Sequence, residues 1–71
     1  MRQDIITFID LIPQRLVDPF TEKVSWFVDE TDERGVLYES HEFTTEKKAL
    51  KFIDLWANGD VERAINYHKS L

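Results

Sequence analysis

Apolar residues along this chain change period several times, and each change marks an element. Ile5, Phe8, Ile9 and Ile12 follow the i, i+3, i+4, i+7 spacing of a helix with one buried face, and Asp4 stands where an N-cap would. The spacing predicts a helix over 4–12. Pro13 lacks a backbone donor and biases Ile12 away from helical dihedrals, so that helix either stops or continues with a kink through Gln14-Arg15-Leu16-Val17. Asp18-Pro19 then closes the region as a turn.

From Lys23 to Glu30 the period shortens to two: Val24, Trp26 and Val28 alternate with Ser25, Phe27 and Asp29, the pattern of a strand. Val36 to Phe43 reads as its antiparallel partner. The polar run Thr31-Asp32-Glu33-Arg34-Gly35 joins the two, with Gly35 free to take the positive φ of a hairpin loop. Two strands alone are marginal in water, so one face must lie on helices, or a third strand must come from the Phe20 region or a second subunit.

Helical spacing returns after Thr44 and Thr45, either of which can cap a helix carrying Ala49, Phe52, Ile53 and Trp56 on one face and ending at Asn58-Gly59. Asp60 caps a last helix with the stripe Val61, Ala64, Ile65 and His68, and Leu71 at its end. The expected fold is α+β in the order α-β-β-α-α, an antiparallel hairpin packed on helices in one domain spanning 1–71. Repeats, low-complexity tracts and linkers are absent from the sequence.

A chain of 71 residues buries only about 60% of its unfolded surface, and apolar burial at this size nearly cancels ordering entropy. Binding to a partner, or pairing as a homodimer, would add what a lean core lacks. The absence of cysteine excludes disulfides and thiolate chemistry. The apolar stretch 5–12 is interrupted by Asp10 and lacks the small-residue cleavage site of a signal peptide. Nothing approaches the roughly 20 apolar residues of a membrane span, so a cytoplasmic protein without membrane contact is expected.

Catalysis needs complementary groups within hydrogen-bond reach, and the sequence offers few. Glu39 and His41 stand two apart on one strand and therefore share a face, where a carboxylate beside an imidazole could form an acid–base or metal-binding pair. A solvated strand face of mixed charge accounts for the same residues. His68 falls in an apolar helical stripe, where packing is the ordinary role. The acidic run Asp29 to Gly35 fails the calcium-loop pattern, because aligning Gly35 with the loop glycine puts Arg34 at a ligand position and His41 at the bidentate one. The reading is therefore non-enzymatic, with no catalytic residues, metal or cofactor expected.

Two surfaces suit a binding role. Fourteen acids against nine bases give a net charge of −5, and Asp29, Glu30, Asp32 and Glu33 gather toward the hairpin tip with Glu39 and Glu42 further along. Such a surface would meet a basic patch on another protein, with Trp26, Phe27 and Tyr38 as aromatic anchors. If Val24, Trp26 and Val28 face inward, Phe27 is the exposed ring. Charge on an exposed hairpin also serves solubility and discourages edge-to-edge pairing. The alternative surface is Lys47, Lys48 and Lys51, which fall together on the helix after Thr45 and could touch a nucleic-acid backbone, although the surrounding negative charge makes nucleic acid the less suitable partner. In size, acidity and expected helix-hairpin-helix layout the chain resembles small phage-encoded proteins that inhibit host enzymes or nucleases by occupying their binding surfaces. The resemblance is one of type, and it implies an inhibitor, adaptor or accessory subunit without assigning any residue a role.

Overall fold

The computed structural model describes residues 6–71. Its elements are β1 (Thr7–Ile9), β2 (Gln14–Val17), β3 (Val24–Asp32), β4 (Leu37–Phe43), α1 (Glu46–Ala57) and α2 (Val61–Lys69), so the fold is α+β in the order β-β-β-β-α-α. All strand pairing is antiparallel and centres on β3. β4 occupies one edge of β3, while β1 and β2 share the other, β1 against its C-terminal half and β2 against its N-terminal half.

The expected N-terminal helix is replaced by this interrupted edge strand; its proposed cap Asp4 and first apolar position Ile5 lie outside the described residues. The helical spacing misled because nearly every position from 5 to 12 is apolar or β-branched, so a helical subset can be drawn from a run that fits a strand equally well. Tertiary demand decides between them: β3 has a second edge to satisfy, and the segment before Pro13 is too short for a stable helix. Pro13 sits in the interruption, where residues 10–13 stand opposite only Val28 and Asp29. A residue without an N–H is tolerated at such an edge irregularity. The third strand thus comes from the N-terminal segment, not from the Phe20 region or from a second subunit, and Phe20 is 94% exposed in the turn before β3.

That turn is held by Asp18, whose carboxylate accepts the N–H groups of Phe20 and Thr21 at 2.8 and 3.2 Å. The β3–β4 loop repeats the device. Asp32 accepts from the N–H groups of Arg34 at 2.8 Å and Val36 at 3.0 Å, and Gly35 takes φ +82°. The backbone donors hold both carboxyls below the usual aspartate range, led by Phe20 for Asp18 and by Val36 for Asp32. A depressed folded value means that the stabilisation is complete above the ordinary pKa of 3.8 and is lost as pH falls below it. Replacing both by asparagine, which keeps the shape but cannot protonate, should therefore lower urea stability at neutral pH and lose that difference progressively below about pH 3.8.

The two helices form as expected. Thr45 caps α1 by accepting from the N–H of Lys48, Asp60 caps α2 by accepting from that of Arg63, and Gly59 takes φ +86° between them. Both pack on one face of the sheet. The core joins Val28 and Phe43 from the sheet to Ala49, Phe52, Ile53 and Trp56 of α1 and Ala64 of α2. Among the described residues no helix is long and apolar enough to cross a membrane.

Candidate functional site

Strand alternation divides β3 into an inner row toward the helices, with Trp26, Val28 and Glu30, and an outer row of Ser25, Phe27, Asp29 and Thr31. In the β3–β4 register Glu30 stands directly opposite Glu39, and Val28 opposite His41. Two glutamates placed across from each other repel unless something lies between them. His41 does: its Nε2 is 2.9 Å from Glu30 Oε1 on the diagonal, and its Nδ1 is 3.3 Å from Glu39 Oε2 on its own strand.

The surroundings of this cluster are mostly dry. Glu30 is fully buried, the His41 side chain is 2% exposed, and only Glu39, at 53%, reaches solvent. Phe52 lies 4.8 Å from the His41 ring, His68 5.3 Å and Trp56 6.5 Å. When Glu30 is ionised its carboxylate only accepts, so Nε2–H donates to it and Nδ1 is left as the other ring nitrogen to satisfy. Among the described residues Nδ1 makes no hydrogen bond: Glu39 is near enough for an ion pair but not in hydrogen-bond geometry.

The solvated-face account of Glu39 and His41 is therefore corrected for His41, which belongs to the interior. The sequence reading also missed Glu30 as its partner. The signal was present, because the alternation that buries Trp26 and Val28 continues to Glu30. His68 packs, as expected, 4.7 Å from Phe43, and its Nε2–H donates to the Glu42 carbonyl at 2.9 Å, fastening the end of α2 to β4.

The acidic tip does not form one patch. Glu30 is inside, and Asp32 is turned onto its own loop and the Arg34 guanidinium at 3.3 Å. Asp29 lies on the outer sheet face, accepting from the Ser40 hydroxyl at 2.8 Å, and Glu33 remains exposed in the loop. Trp26 faces the core, Phe27 is half-buried on the outer face, and Tyr38, 44% exposed, sits at the bulge opposite Glu30 and Thr31. The lysine ridge is divided too. Lys47 is exposed, Lys48 donates to the Thr44 hydroxyl at 3.3 Å, and Lys51 lies over the Tyr67 ring at 5.4 Å.

Among the described residues no helix lies over the outer face of the sheet. Phe8 and Leu37 flank Thr31 across the strands at 55% and 58% exposure, and Leu16 stands beside Ser25 at 53%. None of the outward residues of β3 and β4 from Ser25 to Glu42 is a base, whereas Asp29 and Glu42 are acids. No family model matches the chain, and no curated protein or solved structure is significantly similar to it.

Proposed function

We propose that this protein is a non-enzymatic interaction module, an inhibitor, adaptor or accessory subunit, that docks a partner protein on the outer face of its sheet. The observation carrying this reading is that Phe8, Leu16 and Leu37 stand more than half exposed on the face opposite the helices, with Phe27 between them. Grouped apolar side chains on one sheet face mark an interaction surface, and aromatic residues supply much of the energy when such a surface is covered. Asp29 and Glu42 on the same face favour a partner with basic groups around an apolar centre. A second copy would bring acids against acids in a chain of net charge −5, which disfavours a symmetric pair through this face. The contact proposed is thus the side of the hairpin, with Phe27, Asp29 and Glu42, more than its tip.

The test pairs capture with affinity. Phe8→Ser and Leu37→Ser together alter exposed side chains and should leave the fold intact. A protein captured from host lysate by the wild type should bind this variant at least thirtyfold more weakly by calorimetry, the scale of losing one strong anchor of about 2 kcal/mol. Neutralising Asp29 and Glu42 should weaken binding and reduce its salt dependence. Equal affinity for all variants would remove the sheet face from the interface, and dimerisation of the wild type in sedimentation, abolished by Phe8→Ser and Leu37→Ser, would assign the face to a second copy.

A further inference from the structure

The interior of the sheet carries a cluster that docking on the outer face does not use. Glu30, Glu39 and His41 place a carboxylate oxygen each and one imidazole nitrogen within 4.8 Å of one another. Glu30 orients the ring: with Nε2–H donated to it at 2.9 Å, Nδ1 is the nitrogen left beside Glu39. Nδ1 then offers a lone pair 3.3 Å from a Glu39 carboxylate oxygen, the separation of two ligand atoms on one cation. No hydrogen bond joins the two, and Nδ1 has no hydrogen-bond partner among the described residues.

We propose that His41 Nδ1 and the Glu39 carboxylate bind a divalent transition-metal ion of the zinc type, with Glu30 as the outer partner that orients the imidazole. Three features carry this. First, two ligand atoms each about 2.1 Å from a tetrahedral zinc ion lie about 3.4 Å apart, and the observed separation is 3.3 Å. Second, a carboxylate accepting the far N–H of a metal-bound histidine is the recurrent arrangement that sets ring orientation and raises ligand basicity. Third, an imidazole with carboxylate oxygens suits zinc, whereas calcium and magnesium take oxygen ligands. Glu39 is half exposed on the edge strand, so an ion enters by displacement of its carboxylate, and water completes the coordination. The ion would link two alternate residues of β4 beside the bulge.

The experiment titrates Zn²⁺ into untagged, chelator-treated protein, following heat, melting temperature and the ¹⁵N resonances of the two imidazoles. One equivalent should bind, and at tenfold excess over Kd the melting temperature should rise by about 5–10 °C. His41 Nδ1 should shift on binding while its Nε2 stays protonated. Glu39→Gln alters a half-exposed side chain and keeps the fold, so it separates loss of a ligand from loss of structure; it should weaken binding tenfold or more. Glu30→Gln should weaken it by about 10–100-fold. His68→Gln should leave the His41 shift in place. A wild type that shows neither heat nor melting shift with Zn²⁺ overturns the proposal, as does binding that Glu39→Gln leaves unchanged or that moves only His68. Because Glu39 and His41 lie off the outer face, Zn²⁺ binding and partner docking fail or succeed independently.

Discussion

Replacing Glu30 by alanine is expected to cost about 3–5 kcal/mol, the range for breaking a buried ion-paired contact from one side. The whole stability of a 71-residue domain is roughly 4–10 kcal/mol, so the variant should be largely unfolded by mild urea. The loss has two parts. His41 keeps its Nε2–H inside the core, 2.9 Å from an acceptor that is no longer there, and the space of a fully buried side chain is left empty. If burial of the polar pair is the cause, replacing both residues by leucine should recover much of the loss, because the second change removes the stranded donor. The check is the urea midpoint of Glu30→Ala, of His41→Leu, and of Glu30→Leu with His41→Leu. A cost below about 1 kcal/mol for Glu30→Ala would mean that the contact carries no net weight.

The fate of Glu30 also shows where the sequence was legible. From Val24 onward each element was readable because a local signal agreed with the tertiary need: alternation for β3, Gly35 at a positive φ, Thr45 and Asp60 as caps, and helical stripes that became the core. Before Val24 the signals conflicted. An apolar run has no distinctive period, and the edge of β3, which needed a partner, cannot be seen from within the run itself. The helical reading of 4–12 failed there, and with it the helix-hairpin-helix part of the likeness to small inhibitors. The site was half legible. Glu39 and His41 followed from spacing, but Glu30 joined them only through the cross-strand register. Counting acids near a loop treated it as surface, whereas alternation placed it inside. The lysines misled in the opposite way: helical geometry grouped them, and their contacts with Thr44 and Tyr67 then separated their roles.

Phe52→Ala is the other change with a large expected effect, about 3–5 kcal/mol for a fully buried phenylalanine. Its ring is the junction of the two layers, 5.2 Å from Phe43, 4.8 Å from His41, 5.7 Å from Trp56 and 6.0 Å from His68. Sheet, α1 and α2 therefore meet at one side chain, and truncating it leaves a cavity that no single neighbour can fill. It also removes the apolar cover of His41, admitting water to the cluster with Glu30 and Glu39. The result should be a lower urea midpoint together with altered tryptophan fluorescence from Trp56 and weaker attachment of α2, visible as faster amide exchange over Val61–Lys69 than over β3. The comparison with Glu30→Ala is informative because the two losses share His41 as a neighbour. If the layers are held mainly by apolar packing at Phe52, the double variant should lose less than the two single losses added together, since each change already loosens the same histidine. Strict additivity would instead separate the polar cluster from the core that covers it.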